Sequence, residues 1–367
     1  MQFHRVVSIF LFVFTLLFQP IFASAADLDV MIGQMLMAGF RGYSVTEDSP
    51  IVRDIKERHL GGVVLFDYDV ALGKPERNVQ SPEQVAKLTA DLQSYAATSL
   101  FVSVDQEGGR VQRLKAKYGF TETPSAQVLG EGDDSTIIHA ADIVGQMLFD
   151  VGFNLDFAPV ADVNVNPESP AIGKIGRSFS ADPKRVAKCD EMFLKGLAAH
   201  GVIGCLKHFP GHGSAGSDSH LGLTDVTNTW SDAELIPYRL LVKEEAVAMI
   251  MTAHIFNAGL DPDYPATLSR KVITGILRED IGFDGVVVTD DMNMKAITAH
   301  YGQNEAIRLA IVAGADILLF GNNLEYDPDV VKKAHLIIRK LVKKGTISKE
   351  RIERSYERIM KLKKEMR

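Results

Sequence analysis

Eight short apolar runs recur along the chain: MLMAGF, GGVVLF, LFVSVD, FNLDFAPV, VIGCLKH, VAMIMTAH, GVVVTD and ADILLFG. Each is followed by polar or glycine-rich sequence and then by a segment whose apolar positions repeat with helical spacing. Strands that are apolar almost throughout, rather than at alternate positions, are buried on both faces. Interleaved with amphipathic helices they indicate a parallel sheet covered by helices. Eight strand–helix units predict an α/β fold with a single (β/α)8 barrel of the TIM type. A doubly wound open sheet is the alternative, and the lack of GxGxxG after the first run counts against it. Helix starts support the register. Ser231-Asp-Ala-Glu234 has the pattern of a capping box, and Asp182-Pro183 opens a helix that runs to about His200. Residues 329–367 read as two helices broken at Gly345, with their lysines and arginines on a solvated face.

The N-terminus departs from this rhythm. Met1–Arg5 carries positive charge, VVSIFLFVFTLLF is a continuous apolar run, and FASAA supplies small residues. This three-part pattern is that of a secretory signal, with cleavage expected after Ala25. The expected organisation is a signal peptide over 1–25 and one barrel domain with C-terminal helices over 26–367, without a second domain. A periplasmic or extracellular location follows, with no stable membrane insertion once the signal is removed. A net charge of −7, and no Lys/Arg run interleaved with aromatics, argue against nucleic acid as a partner. Cys189 and Cys205 are the only cysteines; Cys205, inside the apolar VIGCL, reads as a buried thiol. A monomer is expected.

In a barrel, chemistry collects where the strands end. The residues at those ends are Asp105, Asp162, Lys207-His208, His254, Asp290-Asp291 and Gly321-Asn322-Asn323. The densest stretch is KHFPGHGSAGSDSH, residues 207–220, with histidines at 208, 212 and 220 and glycines at 211, 213 and 216. Three chemistries compete for it. His208 and His212 with His220 or His254 could hold a metal, but the proline and glycine of HFPGH keep the first two off one helical face. PGHGSAG lacks the GxxxxGK[ST] of a nucleotide loop. The third reading pairs Asp218 with His220, the carboxylate fixing the imidazole as a general acid/base, and takes Asp290 as a carboxylate nucleophile. That combination suits retaining glycoside hydrolysis and needs no metal or cofactor.

These residues carry a resemblance. ILREDIGFDGVVVTDDMN (276–293) resembles the nucleophile signature of family 3 glycoside hydrolases, and KHFPGHGSAGSDSH resembles the mobile loop of the bacterial β-N-acetylglucosaminidase branch of that family. VDQEGGRVQR (104–113) and GRSFSADP (176–183) resemble two of its sugar-binding segments. The resemblance implies Asp290 as nucleophile, His220 as acid/base and Asp218 as its dyad partner. Asp105, Arg113, Arg177, Lys207 and His208 would bind substrate. It further implies an exo-acting retaining β-N-acetylhexosaminidase, with a carbohydrate partner such as peptidoglycan fragments. A phosphorolytic enzyme, a metal-dependent barrel hydrolase and a silent sugar-binding protein stand as alternatives.

Overall fold

A computed structural model describes residues 26–366 except 218–221. Residues 1–25, the expected signal peptide, lie outside the described residues, as do Asp218 and His220. All eight apolar runs contain strands: β1 Leu36–Gly39, β2 Gly62–Val64, β3 Phe101–Val104, β4 Leu155–Asp156, β5 Ile203–Phe209, β6 Met249–Thr252, β7 Val286–Thr289 and β8 Leu318–Phe320. They pair in parallel in the order β7-β6-β5-β4-β3-β2-β1-β8, with Leu36 opposite Leu318. A parallel bridge between Val288 and Ile317 joins β7 to β8 and completes the ring. The strands lie almost wholly within one buried apolar core, as their unbroken hydrophobicity requires. The shortest is β4, two residues within an eight-residue run. Beyond Asp156 the chain follows β5 through single bonds, Cys205 N–H to Ala158 O at 2.9 Å and Ala161 N–H to Lys207 O at 2.7 Å.

The helices of seven residues or more are α1 Leu28–Gln34, α2 Pro50–Arg58, α3 Pro82–Ser94, α4 Asp134–Asp150, α5 Pro183–Ala199, α6 Ile236–Lys243, α7 Lys271–Asp280 (wound as a π-helix), α8 Gln303–Ala313, α9 Val330–Lys343 and α10 Lys349–Glu365. Helix α5 starts as expected: Pro183 occupies its first turn and the Asp182 carboxylate accepts from Lys184 N–H at 3.0 Å. Gly345, at φ +72°, separates α9 from α10. The N-terminal face of the barrel is sealed by α10. Lys363 donates to Gln34 Oε1 (2.8 Å), Gly61 O (2.7 Å) and Ser99 O (2.6 Å), and burial pushes its ammonium down to about 7.

One local expectation fails. Ser231 makes no side-chain cap, and Asp232–Leu235 is a 3-10 turn ahead of α6. Glu234 does not fold back on its own helix; it is fully buried and accepts from Gly213 N–H at 2.9 Å in the loop after β5. A tertiary partner outcompetes the local cap. Both cysteines are free and buried.

Candidate active site

The strand ends open into a cavity of about 370 Å3 whose lining includes Asp105, Arg113, Arg177, Lys207, His208 and Asp290. Six residues named from sequence, spread over 186 positions from 105 to 290, are thus brought together by closure of the ring.

One wall is an alternating array of charges. Asp105, just past β3, receives Lys207 Nζ at 2.8 Å and Arg113 Nη2 at 3.1 Å. Lys207, on β5, also reaches Glu107 Oε1 at 2.6 Å. Arg177 grips the same Glu107 with two bonds, Nε at 2.8 Å and Nη2 at 2.7 Å. Burial by itself would raise the two carboxyls, but the cations more than offset it, and both stay below the ordinary carboxylate range. Lys207 is shifted upward: desolvation lowers it, and Asp105 and Glu107 outweigh that. Each charge is held by its neighbours before any substrate arrives, so the array can present fixed donors and acceptors to sugar hydroxyls.

His208 extends the array. Its Nδ1 lies 2.6 Å from Asp162 Oδ2, and Arg177 Nη2 lies 3.2 Å from its Nε2. This partner set puts the ring proton on Nδ1, donated to Asp162, with Nε2 accepting from Arg177. Asp162 also accepts from the N–H groups of His208 (3.2 Å) and His212 (2.7 Å). Burial acts against this carboxylate, yet the histidine ring and the backbone donors bring it down to about 2. His212 is buried as well, and desolvation lowers its ring to about 4. The Lys207–His208 peptide is cis.

Asp162 holds the near side of the loop after β5, and Glu234 holds the next part through Gly213. The glycines at 211 and 213 therefore serve close approach. A Cβ at Gly213 would stand 1.7 Å from Val163 O, and one at Gly211 would stand 2.5 Å from Glu234 Cβ. At Gly216 a Cβ would meet nothing within 4 Å.

Burial pushes Glu234 up to about 7 from 4.5. A carboxyl raised on folding favours the folded state while it is protonated, and that advantage is lost as pH climbs through the folded value. At most roughly 3 kcal/mol is at stake between pH 5 and pH 8. Glu234→Gln keeps an acceptor for Gly213 N–H and removes the charge. Thermal melts should show wild-type stability at pH 5 and a higher melting temperature than wild type at pH 8. Equal melting temperatures at both pH values would mean that folding does not raise the Glu234 carboxyl. Asp156, pushed up to about 8 mainly by burial, leaves part of the alkaline loss in place.

Opposite the array stands Asp290, half-buried at the end of β7. Its N–H reaches Thr252 O at 3.2 Å, and its Oδ1 accepts from Asp291 N–H at 2.7 Å. Asp291, which also lines the cavity, accepts from Gly321 N–H (2.8 Å) and Asn293 N–H (2.9 Å), locking β7 to β8. His254 does not line the cavity. It is fully buried, 2.8 Å from Thr267 Oγ1 and 3.0 Å from Asp291 O, where it supports the turn after β7. Among the described residues no group of three His, Cys, Asp or Glu side chains has the geometry to hold a metal ion.

The sequence did not single out Glu107, and it gave Asp162 and Glu234 no role in the site. Glu107 has one visible signal, its place two residues after Asp105 in the same polar segment. Asp162 stands at a strand end like the residues that were singled out. For Glu234 the local capping pattern pointed elsewhere.

Fold and site together define a (β/α)8-barrel protein with its functional cavity at the C-terminal ends of the strands. The chain belongs to glycosyl hydrolase family 3: residues 27–362 match that family's N-terminal domain. It is 32% identical to β-hexosaminidase A of Pseudoalteromonas piscicida over 91% of this chain and 60% of that protein. It is 36% identical to a β-hexosaminidase of Neisseria meningitidis over 81% of this chain and 79% of the relative. A solved family 3 β-N-acetylglucosaminidase from a Paenibacillus species superposes with a TM-score of 0.84 at 39% identity, covering 93% of this chain and 63% of that one. The chain therefore spans under two thirds of the Pseudoalteromonas and Paenibacillus proteins.

Proposed function

We propose that the protein is an exo-acting, retaining β-N-acetylhexosaminidase that removes terminal non-reducing N-acetylhexosamine from glycans. The observation that carries this reading is that Asp290 lines the same cavity as Asp105, Arg177 and Lys207, the charges that Glu107 ties together from behind. A single sugar ring seated on the array presents its anomeric carbon to the Asp290 carboxylate. Attack by Asp290 forms a glycosyl-enzyme ester and breaks the glycosidic bond, while His220 protonates the departing oxygen. The neutral imidazole then takes a proton from water, which attacks the same carbon and restores Asp290. Asp218 steadies the imidazolium. These two assignments rest on the Asp-Ser-His motif. A cavity sized for about one aminosugar ring, closed behind by paired charges, favours cleavage from chain ends. Preference for the N-acetyl sugar is supported by likeness to proteins named β-hexosaminidase and β-N-acetylglucosaminidase. Peptidoglycan fragments are the natural source we favour, with the enzyme acting as a monomer outside the cytoplasm, in keeping with the N-terminal export pattern.

The test is hydrolysis of an aryl β-N-acetylglucosaminide beside the matching β-glucoside, with and without phosphate. We expect at least about a hundredfold preference in kcat/KM for the N-acetyl sugar, nearly 3 kcal/mol in the transition state, no need for phosphate, and the β-anomer as first product. Turnover only with phosphate, or first product of the α-anomer, would overturn the hydrolytic retaining mechanism.

A further inference from the structure

The loop after β2, residues 66–80, is braced far more strongly than an exposed connection requires. Asp69 is fully buried and accepts from Arg41 (Nε, 2.7 Å), Arg77 (Nη1, 2.7 Å) and Leu72 N–H (2.9 Å). Arg77 is equally buried and donates its second terminal nitrogen to Asn322 O at 2.7 Å. Asn323 clamps the same loop by three bonds: its side chain to Tyr68 O (3.1 Å) and Val70 N–H (3.2 Å), its carbonyl to Ala71 N–H (3.0 Å). Burying an Asp–Arg pair costs several kcal/mol of desolvation before its mutual attraction is counted. What this bracing holds outward is an apolar strip: Tyr68, Val70 and Leu72 are 42%, 49% and 50% exposed.

Tyr68 and Val70 line the same cavity as Asp290, and Leu324 continues the apolar wall. The neighbouring cations are already committed to carboxylates: Lys115 to Asp67 at 2.5 Å, Arg113 and Lys207 to Asp105, Arg177 to Glu107. We propose that Tyr68 and Val70 form the subsite for the leaving-group side of the substrate, binding the apolar face of the sugar joined to the cleaved N-acetylhexosamine. This rests on the hexosaminidase reading above. The array takes the polar edge of the terminal sugar, and the braced loop takes the next ring by contact. A carboxylate on that ring gains little from the cavity wall, since the lysines and arginines that line it are each paired with a carboxylate.

The test compares the β-1,4-linked N-acetylglucosamine dimer with β-N-acetylglucosaminyl fluoride, whose leaving group is too small to touch the loop. In Tyr68→Ala the ratio of kcat/KM for dimer over fluoride should fall about tenfold, chiefly through KM, and Tyr68→Phe should restore it. Val70→Ser should lower the ratio in the same sense. A dimer bearing a lactyl carboxylate on its second ring should show a KM insensitive to added salt. An unchanged ratio in Tyr68→Ala, or a KM for the acidic dimer that climbs with salt, would overturn the subsite. Absence of fluoride turnover by the wild type would instead overturn the hexosaminidase reading beneath it.

Discussion

Asp290→Asn should lower turnover of β-N-acetylhexosaminides by at least about 10^4-fold while leaving the fold intact, a loss of roughly 5 kcal/mol or more in transition-state stabilisation. An amide is almost isosteric with the carboxylate and can still accept from Asp291 N–H, the 2.7 Å bond that Asp290 Oδ1 accepts. The turn that ties β7 to β8 runs through Asp291 and Gly321 and is untouched. Thermal stability should therefore move by less than about 1 kcal/mol, because the residue is only half-buried and the amide keeps the bond from Asp291 N–H. The amide cannot form the ester intermediate, so both chemical steps are lost. In Asp290→Ala a small anion such as azide, admitted where the carboxylate stood, should restore part of the rate with an activated aryl glycoside. The product should be a glycosyl azide of α configuration, distinguishable by NMR. Residual hydrolysis above about one per cent in Asp290→Asn would place the nucleophile elsewhere.

Lys207→Met should be the most damaging change for stability. Lys207 is buried and is, among the described residues, the one cation touching both Asp105, at 2.8 Å, and Glu107, at 2.6 Å. Methionine fills similar volume but leaves two buried carboxylates facing each other, with Arg113 and Arg177 at the outer ends only. Breaking a buried pair in this way costs about 3–5 kcal/mol. The pH dependence identifies the cause. In the wild type both carboxyls are held below their unfolded values. Their contribution is therefore present above the unfolded range, near pH 4, and is lost as pH falls through the folded values. Without Lys207 they are raised and protonate readily, so the penalty should be largest at pH 7 and shrink toward pH 4. Melting curves of both proteins at the two pH values measure this directly. An equal penalty at both would mean that Lys207 acts through packing alone. Activity should fall with stability, since the same lysine fixes the acceptors offered to the sugar.

Much of the architecture was legible because it is dictated locally. A barrel strand is buried on both faces, so its hydrophobicity is continuous and visible in GVVVTD or LFVSVD without any tertiary knowledge. The polar residue that ends each run falls at the mouth, which is why Asp105, Lys207, His208 and Asp290 could be named from sequence. Helix α5 likewise announced itself through Asp182-Pro183, a cap that depends on three neighbouring residues only. Residues whose role depends on a distant partner were opaque. Glu107 becomes meaningful through Arg177, 70 residues away, and Asp162 through His208, 46 residues away. Glu234 obeys a local capping pattern in sequence and breaks it in the fold, because a buried loop amide is a better partner than a solvated helix end.

The sequence by itself determined the alternation of strand and helix, the polar ring at the strand ends and the identity of the nucleophile candidate. Each of these follows from the chemistry of a few consecutive residues. Tertiary structure decided which charges pair, which glycines are needed for close approach, and that Tyr68 and Val70 stand at the mouth. Those outcomes depend on closing the ring between β7 and β8 through Val288 and Ile317, which brings segments some hundred residues apart within hydrogen-bonding distance. No local pattern encodes such distances; they exist once the barrel has closed.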